Sequence, residues 1–286
     1  MFKTPMKGLY VKNINCFFFL IEKNANTSMR IWSILNFCEN QDIVEKTRVF
    51  LKENKPQEFS RFFHEISTTN KGHICENLKY HPMVHREEMT EYAKNRTKFF
   101  GFLRDPVERA ISVYGDKLIR LIPESEQLSL GGKDSEMLRK AYIAKLREYV
   151  AFMNVIKYVY ASDEHIREYE AVTINRLRNA SVYDRHIRQQ YELIAPLVEL
   201  ILSLKAKPHM SDHLFLLDVK NSNSIDDMLY TLTHFETKDK FEKIKMRASK
   251  QKYGFTKEEK EEIKKILASD YAFLERTNEF TYTKNE

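Results

Sequence analysis

Short apolar runs alternate along the chain with longer segments in which apolar residues recur at helical spacing. Residues 14–21 and 98–103 are apolar and rich in aromatic residues, which predicts two buried strands. Helical patterns follow at residues 29–38 and 107–118, and residues 213–219 (HLFLLDV) predict another strand. Strands that alternate with helices are typical of an α/β fold with a central parallel sheet flanked by helices. Ligands of such folds bind beyond the carboxyl ends of the strands.

Further elements are predicted between and after these units. Residues 74–80 fit a weaker strand, residues 85–95 a helix, and residues 134–179 a long helical stretch without Gly or Pro. Thr256 and Glu259 match a capping box that opens a charged C-terminal helix. The long stretch predicts a helical insertion at about 120–180 in a single domain over residues 1–286.

Composition excludes several classes of protein. Of 286 residues, 42% are apolar and 12% aromatic, which is enough for a folded core and atypical of a disordered chain. None of the seven glycines falls in a G-x-G-x-x-G or G-x-x-x-x-G-K-[ST] pattern, so the glycine-rich nucleotide motifs are absent as literally written.

The net charge of +6 is concentrated in one segment. Residues 238–252 hold seven Lys or Arg against two acids, a local excess of 7 − 2 = +5. This basic segment is either a solvated face or an anion-binding site, because clustered cations attract anionic ligands.

Cysteine usage and hydropathy bear on the compartment. Three cysteines, an odd number without C-x-x-C spacing, indicate reduced thiols. The apolar run at residues 16–21 is too short to span a membrane and carries no cleavage signal. The sequence therefore predicts a cytoplasmic protein with no integral membrane segment.

The loop after the first strand combines groups that bind anions. Residues 22–28 (EKNANTS) lie where a buried strand turns into a helix, whose N-terminal N–H groups attract negative charge. Lys23 adds a cation, and Thr27 and Ser28 add hydroxyls, one of which is predicted to cap the helix. An ordinary helix start is the alternative interpretation.

The second strand ends in a comparable loop. Arg104 follows the strand, Asp105 is predicted as N-cap, and Pro106 as the first helical residue. Ser112 lies two turns further on, so its hydroxyl and the Arg104 guanidinium could share one phosphate. The alternative is a capped helix in which Arg109 pairs with an acid.

These two segments resemble motifs of the carbohydrate sulfotransferases. Residues 23–28 (KNANTS) resemble the 5′-phosphosulfate loop P-K-V-A-C-T-S, and residues 103–114 resemble the more specific 3′-phosphate motif V-R-D-P-x-x-R-x-x-S-x-Y. Residues 184–190 are similar to the H-W-x-P-Q segment of the Golgi chondroitin-type branch, and residues 270–273 to its D-Y-x-x-F ending. The resemblance runs in order from about residue 15 to 275.

The resemblance implies a P-loop-like three-layer fold and 3′-phosphoadenosine-5′-phosphosulfate (PAPS) as donor, with a carbohydrate or glycolipid hydroxyl as acceptor and no metal. It implies that a late loop of the segment at about 238–275 closes over the 3′-phosphate and adenine. The donor-binding residues implied in this way are Lys23, Asn24, Ala25, Asn26, Thr27, Ser28, Arg104, Ser112, Arg247, Ser249 and Lys250. Glu22 and Asn26 replace the proline and cysteine of the family loop. The missing membrane anchor suits a bacterial-type soluble member.

Two catalytic roles remain to be filled. Lys23 is expected to stabilise the charge that develops on the leaving phosphate, because it is the only cation in the loop. The acceptor hydroxyl needs a general base near neutrality, for which His81 is the first choice, expected at the sheet edge after strand 74–80. His186 and Glu65 are the alternatives.

Three other classes compete with this interpretation. A P-loop kinase would share the fold, but the chain has no Gly-Lys-Ser/Thr and only Asp218 as a metal-holding candidate. A nucleic-acid-binding protein is disfavoured because 41 acids are spread along the chain. A catalytically degenerate nucleotide-binding protein is suggested by Glu22 and Asn26.

Overall fold

The computed structural model describes residues 6–21, 25–84, 86–121, 124–132, 135–160, 194, 214–218, 224–244 and 253–277. The strands are β1 Met6–Val11, β2 Cys16–Phe19, β3 His73–Cys75, β4 Leu78–Val84, β5 Lys98–Leu103 and β6 Leu214–Asp218. The helices are α1 Asn26–Phe37, α2 Gln41–Lys52, α3 Pro56–Thr69, α4 Arg86–Lys94, α5 Pro106–Leu121, α6 Glu124–Ser129, α7 Glu136–Tyr160, α8 Ser224–Thr233, α9 Lys257–Ile266 and α10 Ala268–Thr277. A 3-10 helix covers Phe241–Ile244.

The described strands form one mixed sheet in the order β3-β4-β1-β2-β5-β6. Strands β2, β5 and β6 are parallel, whereas β1 is antiparallel to both β2 and β4, and β3 is antiparallel to β4. The α/β class is confirmed, and the predicted parallel arrangement is found in β2, β5 and β6, whereas the sheet as a whole is mixed. Short turns join β1 to β2 and β3 to β4, and turns of that length connect only antiparallel strands.

The predicted elements are found with different degrees of accuracy. Strand β5 has the predicted bounds, β6 lies within its predicted run, and the strand predicted at 74–80 is instead a hairpin of β3 and β4. Helices α2 and α3 were not predicted. Of the long helical stretch, α7 is described to Tyr160, and residues 161–179 lie outside the described residues.

Contacts divide the chain into two compact units. The sheet unit consists of residues 4–104, 193–248 and 276–286. Its core lies between one face of the sheet and α1, where Phe18, Phe100 and Phe102 pack with the fully buried Trp32. Trp32 is thus a core residue, as the amphipathic pattern of its helix indicates.

The helical unit consists of residues 1–3, 105–192 and 249–275. Its core contains the aromatic residues Tyr114, Tyr142 and Phe255, which meet edge to face. The buried Tyr142 hydroxyl donates to the Ala110 carbonyl oxygen at 2.7 Å, which satisfies the one polar group of that ring. The prediction of a single domain over 1–286 stays a prediction.

Hydropathy of the helices bears on membrane association. Within the part of the chain that the structure describes, no helix combines the length and apolar character that crossing a bilayer requires.

Candidate active site

The first strand–helix junction lies at the carboxyl end of β2. The strand is completely buried, the chain continues to the buried Ile21, and Ala25 then adopts the left-handed conformation with φ 58°. Helix α1 begins at Asn26, and no side chain caps it. The prediction that Thr27 or Ser28 is the N-cap is wrong, because both lie in the first helical turn. A left-handed residue directly before a helix turns successive N–H groups towards one point, a geometry that suits an anion.

The second junction is brought next to the first by strand pairing. Strands β2 and β5 are parallel, with Phe18 opposite Phe100. The segments that follow the two strands therefore leave the sheet at the same end. Arg104 follows directly after β5 and is half-buried. The structure therefore places the Arg104 backbone and the α1 N-terminus at neighbouring strand ends, where ligands of parallel sheets bind.

Helix α5 begins as the sequence predicts. Pro106 is its first residue, and the Asp105 carboxylate accepts a hydrogen bond from the Glu108 N–H at 2.9 Å, which makes Asp105 the N-cap. Ser112 lies two turns into α5 and is half-buried. Arg104 belongs to the sheet unit and Ser112 to the helical unit, so their shared phosphate site stays a prediction.

His81 lies in the middle of β4 rather than beyond a strand end. It pairs with Gly8 of β1, is 3% exposed, and its Nε2 is hydrogen-bonded to the Tyr92 hydroxyl at 3.0 Å. Burial lowers the pKa of His81 from 6.5 to about 4. The expectation that the strand ends before His81 is wrong, because β4 extends to Val84. Gly8 is in turn paired with Phe19, the last residue of β2, so His81 is level with the carboxyl end of β2 as expected. The catalytic role of His81 stays a prediction.

Several predicted site residues lie outside the described residues. These are Lys23 and Asn24 of the first loop, His186, and Arg247, Ser249 and Lys250 of the basic segment. Glu65, the third candidate base, is an exposed residue of α3. Among the described residues, no cluster of three or more His, Cys, Asp or Glu side chains could hold a metal ion.

The model of the sulfotransferase family matches residues 11–275, which include both strand–helix junctions. The chain belongs to the sulfotransferase family. Neither the curated proteins nor the solved structures give a match.

Two polar residues of this sulfotransferase that sequence analysis missed hold the start of the basic segment. The buried Asp226 carboxylate accepts hydrogen bonds from Trp32 Nε1 at 3.1 Å, Thr237 Oγ1 at 2.6 Å and the Phe241 N–H at 2.8 Å. Asn36 of α1 donates to the Asp239 carbonyl and accepts from its N–H. Residues 237–241 are therefore fixed to the helix whose N-terminus forms the first junction. The only sequence signal was an acidic residue in the first turn of α8.

The helical unit of the sulfotransferase contains a third unforeseen contact. Tyr271, from the segment similar to D-Y-x-x-F, donates a hydrogen bond to Asp105 Oδ2 at 2.8 Å. Burial raises the pKa of the Tyr271 hydroxyl, and its hydrogen bond to Asp105 raises it further. The same carboxylate caps α5 with its other oxygen, so Tyr271 fixes the residue that starts this helix.

Proposed function

We propose that this sulfotransferase transfers a sulfuryl group from PAPS to a hydroxyl of a carbohydrate or glycolipid acceptor, with no metal. The observation that carries the proposal is the parallel pairing of β2 with β5 in a chain of this family. It supports one anion site at the α1 N-terminus and a second beside Arg104, as a nucleotide with phosphates at both ends requires. The proposed architecture around this edge is P-loop-like.

The donor would be held at its two phosphorylated ends. Residues 23–28 bind the 5′-phosphosulfate through backbone N–H groups, the Lys23 ammonium group and the two hydroxyls of Thr27 and Ser28. Arg104 and Ser112 bind the 3′-phosphate, since a guanidinium forms paired hydrogen bonds with phosphate oxygens. Arg247, Ser249 and Lys250 close over the 3′-phosphate and adenine, beyond the part of the segment that Asp226 and Asn36 anchor.

The proposed reaction moves the sulfuryl group to the acceptor oxygen and the proton of the acceptor hydroxyl to a base. The acceptor oxygen attacks sulfur, the bond from sulfur to the bridging 5′-phosphate oxygen breaks, and adenosine 3′,5′-bisphosphate leaves. The acceptor proton passes to a general base, for which His81, His186 and Glu65 are the candidates. Lys23 stabilises the charge that develops on the leaving phosphate, which is the main contribution a protein makes to this type of displacement.

Burial makes His81 a less accessible base than the exposed Glu65. A base must come within hydrogen-bond reach of the acceptor hydroxyl, yet His81 is 3% exposed and bonded to Tyr92. Its lowered pKa keeps the imidazole neutral at pH 7, which suits a base. If His81 is the base, His81→Asn should lose the acidic limb of the pH–rate profile. Its affinity for adenosine 3′,5′-bisphosphate should stay unchanged.

Ligand-induced stabilisation tests the donor assignment. Adenosine 3′,5′-bisphosphate should stabilise the protein by about 2.7 kcal/mol at a hundredfold excess over its Kd. ATP has no 3′-phosphate and should stabilise it much less. Equal stabilisation by both nucleotides would favour a kinase.

A substitution of Arg104 distinguishes the proposed 3′-phosphate site from the proposed 5′-phosphosulfate site. Arg104→Ala should weaken binding of the bisphosphate far more than binding of adenosine 5′-phosphosulfate, which has no 3′-phosphate. Arg61→Ala, at an exposed position on α3, is the control and should change neither affinity. Equal losses for both ligands would contradict the 3′-phosphate assignment.

Acceptor class is tested with labelled donor. Incubation with [35S]PAPS and panels of glycans, glycolipids and phenols should label carbohydrate hydroxyls. Labelling of phenols alone would contradict the carbohydrate assignment, and tight bisphosphate binding without transfer to any acceptor would favour a degenerate nucleotide-binding protein.

A further inference from the structure

Two of the three cysteines lie together at the far end of α1. Cys38 is the C-cap of this helix, and Cys75 is the last residue of β3. The Cys75 thiol donates a hydrogen bond to the carbonyl oxygen of Phe37, the residue before Cys38, at 3.8 Å. This contact brings the Cys75 side chain to the Cys38 side chain, with which it also interacts. The sequence gives no hint of this pairing, because the two residues are 75 − 38 = 37 positions apart.

Both thiols are reduced and differ in their environment. Cys38 is 8% exposed, whereas Cys75 is half-buried. The hydrogen bond from Cys75 lowers the pKa of Cys38, because a donor stabilises the thiolate. The same bond raises the pKa of Cys75, since its proton is shared with the neighbouring sulfur. Two neighbouring thiols, one of which loses its proton more readily than the other, are the arrangement that forms a disulfide by thiol–disulfide exchange.

Cys16 provides an internal comparison. It is fully buried in β2, and burial raises its pKa to about 12. Its thiol donates a hydrogen bond to the Ile14 carbonyl oxygen at 3.3 Å. A protonated and inaccessible thiol of this kind is inert towards small disulfides.

From this juxtaposition we propose that Cys38 and Cys75 are a modification site, which a small-molecule disulfide such as oxidised glutathione converts to an intramolecular disulfide. The Cys38 thiolate attacks one sulfur of the oxidant and displaces one glutathione thiolate. Cys75 then loses its proton and displaces the second glutathione, so that two protein thiols become one disulfide and the oxidant is reduced to two glutathione molecules. The product ties the C-terminal end of α1 to β3.

The test is peptide mapping of the full-length folded protein after incubation with oxidised glutathione. Mass spectrometry without reduction should show the peptides of Cys38 and Cys75 joined, with the loss of two hydrogens, and Cys16 still free. Dithiothreitol should restore all three thiols. In concentrated guanidinium chloride the preference for the Cys38–Cys75 disulfide should disappear, and disulfides that include Cys16 should also form.

Matched variants exclude fortuitous oxidation. Cys16→Ser should still form the disulfide, whereas Cys75→Ser should stop at one glutathione per chain on Cys38. The proposal is overturned if the folded wild-type protein keeps three free thiols, carries only mixed disulfides, or gives the same mixture of pairings as the denatured chain. Because no donor or acceptor is used, these outcomes are independent of the proposed sulfuryl transfer.

Discussion

Tyr271 donates a hydrogen bond to the carboxylate of Asp105, a residue 166 positions earlier in the chain, at 2.8 Å. Asp105 is the N-cap of α5, and Tyr271 lies on α10, the last helix of the helical unit. Two segments that resemble separate sulfotransferase motifs are therefore parts of one contact. This hydrogen bond explains the tyrosine of the C-terminal segment by a structural role, which does not depend on ligand binding.

Removal of this hydroxyl should destabilise the helical unit. Tyr271→Phe deletes the hydrogen bond to a carboxylate and keeps the ring, so we expect the free energy of unfolding to fall by about 2 kcal/mol. Urea unfolding followed by circular dichroism measures the change. Tyr230→Phe, at a position that is 55% exposed on α8, is the control and should be neutral within about 0.5 kcal/mol. Equal stability of Tyr271→Phe and the wild type would show that Asp105 does not depend on this donor.

Replacement of the Asp226 carboxylate by an amide should destabilise the folded protein. Its two oxygens accept three hydrogen bonds from Trp32, Thr237 and the Phe241 N–H, and an Asn side chain in either orientation places an NH₂ group against a donor. Asp226→Asn should therefore lower the free energy of unfolding by about 2 kcal/mol. The exposed Glu236 offers the control, since Glu236→Gln makes the same change of carboxylate to amide and should leave the urea unfolding curve nearly unchanged.

The buried His81 makes stability depend on pH. Its pKa is about 4 in the folded protein against 6.5 ordinarily, so between these values the unfolded chain binds the extra proton. The stabilisation is present above pH 6.5 and is lost as the pH falls towards 4, a loss of about 3 kcal/mol. Urea unfolding at about pH 7.5 and about pH 4.5 measures it.

Two variants identify the responsible histidine. His81→Asn should remove much of this acid sensitivity, whereas His64→Asn, at an exposed position on α3, should retain it. If the pH dependence of His81→Asn equals that of the wild type, acid destabilisation comes from other groups.

Two ion pairs between α7 and α9 differ in burial. Arg139 and Glu259 are joined at 2.9 Å with side chains 9% and 7% exposed, whereas Arg147 and Glu262 are joined at the surface. Arg139→Met leaves the Glu259 carboxylate buried without its cation and should cost about 3 to 5 kcal/mol. Arg147→Met, the control on the same helix, should cost less than about 1 kcal/mol. Similar losses in both variants would mean that burial does not govern the strength of these pairs.

The sequence predicted what depends on local patterns. The bounds of β5, the cap at Asp105 and the capping box at Thr256 each follow from neighbouring residues, and the structure confirms them. Long-range pairing has no such signal. The antiparallel position of β1 between β2 and β4 therefore came only with the structure.

The same limit applies to the candidate site. Arg104 was expected at a strand end because an apolar run stops before it, and the structure places it there. His81 was expected after a strand that ends at residue 80, whereas β4 continues through Pro82 to Val84. The contacts of Asp226 and Tyr271 span long separations in the chain and could not be inferred from spacing.

Lys23 is the residue on which the proposed chemistry depends most. If its ammonium group stabilises the leaving phosphate mainly in the transition state, Lys23→Ala should lower kcat even at saturating PAPS, by about 10²- to 10³-fold. The Kd for adenosine 3′,5′-bisphosphate should change far less, because the 3′-phosphate would keep its proposed site at Arg104. Lys12→Ala, at an exposed position after β1, is the control for a general loss of positive charge and should keep full turnover. Single-turnover transfer of labelled sulfate, measured at several PAPS concentrations, separates kcat from affinity. A Lys23→Ala enzyme whose kcat is intact and whose KM alone has risen would show that Lys23 only binds the donor, and the charge on the leaving group would then have to be stabilised by another group.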